Sequence, residues 1–171
     1  MALTSDGDPQ LASRFAKTHP QIFKGADWTL WIDCRFRLDV DPVPIAEDMD
    51  ARGIEFAALR HPDRDHIADE VEAILALNKA PEALLRAQLA HYEAKGFTDQ
   101  QRTLTTSGGF LLRKNTPRMR EFNRLWWEEQ TRWTLRDQMS LDYCAKKAGV
   151  KVHYLEGHYR DNPYSSWSKT W

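Results

Sequence analysis

Residues 28–32, Trp-Thr-Leu-Trp-Ile, are aromatic, aliphatic or β-branched throughout, and Asp33 follows at once. A run this short with no polar face reads as a strand buried on both sides, as in a sheet covered by helices. Such a strand ends by carrying a carboxylate out of the core into a loop. In open α/β sheets, ligands gather at the carboxyl ends of strands, so Asp33 becomes the first candidate for chemistry.

The rest of the chain supplies the partners such a sheet needs. Strand patterns recur at 35–40, 54–59, 107–114 and 150–155. Helical periodicity is read over 9–18 (closed by Pro20), 43–51, 65–78, 81–95 (before Gly96), 117–133 and 137–147 (before Gly149). Strands interleaved with helices predict an α/β fold, a three-layer sandwich around a mixed, mostly parallel sheet. Residues 1–8 read as a loose start and 9–171 as one domain. The tail from Gly157 to Trp171 reads either as a loop folded over a site or as a frayed end.

A formal net charge of −1 supplies no global field that would draw the chain to nucleic acid or an anionic membrane. No apolar run reaches the roughly 18 residues of a membrane span, and the N-terminus lacks a secretory pattern. Cys34 and Cys144 have no zinc-ligand spacing and are expected to be reduced, which places the protein in the cytoplasm. Seven Trp residues are a surplus that suits a core or a stacking surface for sugar rings.

Several residues are candidates for the site, each with a structural alternative. Asp33 either holds a divalent ion or a ligand, or caps a turn or pairs with Arg35 or Arg37. Arg14 and Lys17 share a helix face and suit phosphate oxygens, or form a solvated face. His61 and Arg64 follow the 54–59 strand beside Asp63 and Asp65, either of which could cap the next helix. Arg136, Asp137 and Gln138 sit between two helix patterns, where Asp137 competes as an N-cap. His153 and His158 lie near the last strand without a metal-spaced partner. Gly108-Gly109 permits close backbone approach to a ligand, and Trp127 belongs to the Trp-rich region that offers a stacking face.

Five stretches, in order, resemble the TOD1/MUCI70-like family of glycosyltransferases: RFAKTHP (14–20), WTLWIDCRFRLDVDP (28–42), RHPDRDHIADEVEAI (60–74), SGGFLLRKNTP (107–117) and WWEEQTRWTLRDQMSLDY (126–143). The resemblance covers about three quarters of the chain, most specifically in its second and last stretches. It implies a GT-A-like fold, a nucleotide-sugar donor and transfer of one sugar to an acceptor hydroxyl. Where GT-A enzymes carry a metal-binding DxD motif, this chain reads Asp33-Cys34-Arg35. The first carboxylate is kept and the second is replaced by a cation able to neutralise phosphate. Mn²⁺ or Mg²⁺ is thus an open requirement, with Asp33 and His158 as its implied ligands. The resemblance implies that Asp137 lies near the acceptor or the reacting sugar carbon. Joined to the candidates above, it leads to the expectation of Asp137 and Arg136 in catalysis, Arg14, Lys17, Arg35, His61 and Arg64 at the donor, and Gly108, Gly109, Gln138 and Trp127 at the acceptor. Only 27 residues precede the first strand, so the base- and ribose-binding unit of GT-A domains is expected to be shortened or supplied by another chain, for example in a homo-oligomer. The alternatives are a non-catalytic sugar- or nucleotide-binding module and a glycosyltransferase acting on modified nucleic-acid bases.

Overall fold

The computed structural model describes residues 7–97 and 103–167. Of the expected loose start, residues 1–6 lie outside the described residues. Helix α1 (Pro9–Thr18) starts where Asp8 accepts hydrogen bonds from the backbone N–H groups of Gln10 at 2.8 Å and Leu11 at 3.1 Å, with Pro9 in the first turn. A 3₁₀ turn at Pro20–Ile22 leads to β1 (Trp28–Ile32) and β2 (Phe36–Leu38). There follow α2 (Val43–Ala51), β3 (Phe56–Arg60), α3 (Ile67–Ala76) and α4 (Glu82–Glu93). The chain continues as β4 (Thr106–Lys114), α5 (Pro117–Arg132), α6 (Gln138–Lys147), β5 (His153–His158) and β6 (Ser165–Trp167).

The main sheet has the order β1-β4-β3-β5. It is mixed, as expected, but it is not mostly parallel. The β1–β4 and β3–β4 pairs are antiparallel, and only β3–β5 is parallel. The expectation rested on the apolar run of β1 and on the interleaving of strands with helices, and neither records direction: β1 is a half-buried edge strand that pairs antiparallel with the buried β4. The helices between β3 and β4 also look like a parallel crossover, yet here they return the chain to the opposite direction.

Alternation along the strands feeds two apolar clusters. Phe56 and Ala58 of β3 and Leu111 of β4 join one cluster with Val71, Leu85, Phe122, Trp126 and Leu141 from α3 to α6. Ala57, Leu59, Phe110 and Leu112 join the other, with Met49 of α2 and Leu155 of β5. A strand sends successive side chains to opposite faces, so both faces of the sheet are covered.

Two local expectations are corrected. The last strand begins three residues later than the 150–155 pattern, because Val150 is buried and its N–H returns to the Ala145 carbonyl at 2.9 Å, closing α6. Neither Asp63 nor Asp65 caps α3. The N-cap position is His66, and the Thr103 hydroxyl accepts from the Ile67 N–H at 2.9 Å instead. The tail folds back: β6, which the sequence reading missed, pairs antiparallel with β2. No described helix is long and apolar enough to cross a membrane.

Candidate functional site

Sheet topology brings four chain segments to one edge. Strands β1, β3 and β5 end there, at Asp33, His61 and Tyr159, and antiparallel β4 begins there with Thr106 to Gly109. The β1–β4 ladder extends one step further, with the Asp33 N–H donating to the Gly109 carbonyl at 2.9 Å. A register shift in β3 between Ala58 and Arg60 lies next to this edge, where bulges commonly re-aim side chains. The edge encloses a cavity of about 150 Å³ walled by Asp33, His61 to Arg64, Ser107 to Gly109, Asp137, Gln138, Tyr159 and Arg160.

Its floor is an ion-pair cluster. Lys17 of α1 is 0% exposed. Its Nζ bonds Asp137 Oδ2 and lies 3.4 Å from Asp33 Oδ1. The same ammonium stands 5.3 Å from the Trp31 ring centre and 5.8 Å from that of Trp126, within reach of cation–π attraction. The Trp31 indole donates to Asp33 Oδ1 at 2.8 Å, and Trp126 donates to the Asp137 carbonyl at 3.0 Å. Arg14 completes the cluster, with Nη2 3.5 Å from Asp137 Oδ1 and Nε donating to the Leu135 carbonyl at 3.0 Å. Burial acts to raise the Asp137 pKa, but the charges of Lys17 and Arg14 outweigh it and hold the carboxyl at about 2.

These contacts decide between the earlier alternatives. The Arg14–Lys17 face is not solvated: it packs toward α5 and the sheet edge. Asp33 pairs with Lys17 rather than with Arg35 or Arg37, and Arg37 bonds Asp39 instead. Asp137 stands at the N-cap position of α6, but its backbone is helical and its side chain makes no capping bond, because the carboxylate is directed to Lys17.

The roof of the cavity is the folded tail. Gly109 leaves room for Tyr159: a β-carbon there would overlap the ring, lying 2.8 Å from its Cδ2 and 3.0 Å from Phe36. Tyr159 packs edge-on against Phe36 and Trp167. A β-carbon on Gly108 would sit 3.0 Å from Asp137 Oδ2 and 3.2 Å from Lys17 Nζ, so this glycine makes room for the buried ion pair beneath the cavity.

One wall carries two guanidinium groups, each paired with a carboxylate. Arg160 makes a two-point pair with Asp63 at 2.7 and 3.0 Å, and Arg64 Nε bonds Glu70 at 2.7 Å. His61 Nδ1 accepts from the backbone N–H groups of Arg64 at 3.1 Å and Asp63 at 3.3 Å. Arg64 Nη2 also approaches Nε2, at 3.4 Å, but the two closer backbone donors cannot turn away from Nδ1 whereas the guanidinium can, so the neutral tautomer carries its proton on Nε2. Burial and the adjacent Arg64 charge lower the His61 pKa to about 4. The ring is therefore a neutral donor at pH 7 and not a base.

Other expected residues lie elsewhere. Arg35 is exposed and faces the Trp167 ring at 5.8 Å, outside the cavity wall. Trp127 is also outside, edge-on to Phe15 and His19, because the helical period that turns Trp126 inward turns its neighbour toward α1. Arg136 does not line the cavity, and its buried Nε has no hydrogen-bond partner. His158 does not line the cavity either, and its Nδ1 accepts from the Arg160 N–H at 3.2 Å. His153 lies 3.5 Å from Arg52, away from the cavity.

The donor set does not fit a resident divalent ion. The two cavity-floor carboxylates are bridged by an ammonium, His158 does not converge on them, and no group of three or more potential ligands is found among the described residues.

Three contributors carried too little sequence signal. Arg113 is fully buried, donating to Asn123 Oδ1 at 2.7 Å and to the Lys17 carbonyl at 2.8 Å, so it fixes the end of α1. Burial lowers its pKa to about 9. A lone Arg inside the run FLLRK was the available clue. Tyr159 and Arg160 had none, because their place depends on how the tail returns.

The family model for the TOD1/MUCI70, glycosyltransferase-like domain matches residues 12–164. The "Probable hexosyltransferase MUCI70" of Arabidopsis thaliana is 30% identical over 148 residues, which cover 82% of this chain and 26% of that protein. The chain thus spans about a quarter of that relative's length. No solved structure matches the chain.

Proposed function

Because the chain belongs to the TOD1/MUCI70 glycosyltransferase-like family, we propose that the Asp33–Gly108–Asp137 cavity transfers a hexose from a nucleotide-sugar donor to an acceptor hydroxyl. One observation carries this reading: residues 104 positions apart in sequence present their carboxylates to a single cavity, bridged by one buried lysine.

Cleavage of the sugar–phosphate bond puts negative charge on the departing diphosphate and positive charge on the sugar carbon. The His61 Nε2–H, Arg64 and Arg160 suit the phosphate oxygens. Asp137 stays ionised at neutral pH and suits the cationic sugar, which needs it more in the transition state than in the ground state. Asp33 is more exposed than Asp137, with 33% against 10% of the side chain accessible, and suits the acceptor hydroxyl. Gln138 and the Gly108-Gly109 backbone frame the same space. Arg136 acts at a distance by favouring the charged form of Asp137. At about 150 Å³ the cavity is smaller than the roughly 300–1,000 Å³ of a typical small-molecule site, so it suits the reacting sugar and its phosphate rather than a whole donor. In this reading the fold is GT-A-like, and the free Cys34 and Cys144 accord with a reducing compartment.

The test is turnover of a panel of UDP- and GDP-hexoses. Asp33→Asn and Asp137→Asn should each lower kcat/KM by about 10²–10³-fold in a folded protein. Full activity in both variants would overturn the assignment. The small cavity favours one other reading, capture of a sugar phosphate without turnover, in which calorimetry would record binding and no donor would be consumed.

A further inference from the structure

We infer that Lys17 is the resident cation of this cavity: its ammonium takes the place between Asp33 and Asp137 that a divalent ion would otherwise occupy, and the site binds its phosphate-bearing ligand without a metal. The nature of the ligand rests on the transferase reading above; the exclusion of the metal does not.

The arrangement is built, not incidental. Lys17 is wholly buried, flanked by the Trp31 and Trp126 rings, and its own carbonyl is gripped by Arg113. A lysine is rarely buried unless paired, and here both its partners are carboxylates that a metal would need. Two cations, Lys17 and Arg14, face two anions, Asp33 and Asp137, so the floor is already neutral. A divalent ion within 2.0–2.6 Å of both carboxylates, the usual range for hard cations, would have to sit on or beside Nζ. It would meet like charge and find no third protein ligand among the described residues. The Gly108 contact matters in the same way: a β-carbon there would press on both Asp137 Oδ2 and Nζ, so the glycine makes room for the ion pair, and the covered ammonium acts on a ligand through the two carboxylates it holds.

The experiment is a Mn²⁺ titration followed by electron paramagnetic resonance, on the parent and on Lys17→Ala. The parent should take up no Mn²⁺ saturably below about 1 mM, whereas Lys17→Ala should bind at least roughly tenfold more tightly. The second substitution in Lys17→Ala/Asp33→Asn should abolish that gain. Saturable binding to the parent that Asp33→Asn removes would overturn the inference, and this comparison does not need the lysine variant to fold. A folded Lys17→Ala with no gain would also overturn it. A parent that binds no Mn²⁺ and transfers no sugar would uphold the exclusion of the metal while sinking the transferase reading, so the two failures are distinguishable.

Discussion

Replacing Lys17 by Met removes one charge from the floor and keeps most of the volume. Asp137 would then remain buried with only Arg14, 3.5 Å away, as a contacting cation. In the parent, holding this carboxyl at about 2 rather than 3.8 contributes on the order of 2 kcal/mol at neutral pH. The sign follows from the depressed pKa: the contribution is complete above the unfolded value and is lost as pH falls through the folded one. In Lys17→Met, burial is no longer outweighed, so the Asp137 pKa should rise and the sign reverse. The penalty is then full at pH 7 and fades toward the unfolded pKa near 4. Breaking a buried pair costs roughly 3–5 kcal/mol, and the surviving Arg14 places this case near 3. For a chain of this length, 3 kcal/mol lowers Tm by about 6–12 °C. Denaturant unfolding of parent and variant at pH 7 and pH 4 measures the difference. Lys17→Met/Asp137→Asn should recover at least about half of it, since no unpaired charge is left. A loss under about 1 kcal/mol, or one that is the same at both pH values, would refute the argument.

Other outcomes follow from the walls. Gly109→Ala should push Tyr159 off the sheet edge and destabilise by about 1–3 kcal/mol, with Trp167 fluorescence shifting as β6 loosens; an unchanged spectrum and Tm would contradict the packing described here. His61 should appear in ¹⁵N NMR as the Nε2–H tautomer with no titration near 6.5, and stability should fall as pH drops from 6.5 toward 4, because the neutral ring is favoured in the fold. Arg113→Met should lower stability by roughly 1–3 kcal/mol through the unpaired Lys17 carbonyl and Asn123. Its effect on kcat should exceed that of Arg35→Met, since Arg35 lies outside the cavity.

Asp33 and Asp137 were legible in the sequence because each marks a boundary: the end of an apolar strand and the start of a helix. That they meet was not legible, because it depends on α1 laying its Lys17 between them. The periodicity of α1 defines a face without saying what covers it, so a buried ion-pair cluster and a solvated surface look alike. The direction of β4 was hidden for a related reason. Burial on both faces erases the alternation that would mark an antiparallel strand, and only the observed register with β1 and β3 supplies it. Arg35, His158 and Trp127 entered through resemblance or composition, and neither specifies where a side chain points. The tail offered no periodicity at all, yet Tyr159 closes the cavity by fitting against a glycine.

In the transferase reading, the sugar and phosphate of the donor lie on the Asp33–Asp137 floor beneath Tyr159. A crystal structure of Asp137→Asn grown with the nucleotide hexose that gives turnover addresses it directly. The phosphate should lie beside Arg64 and the His61 Nε2–H, with the sugar over Gly108. Density for the donor at any other place on the molecule, with this cavity holding only solvent, would contradict it.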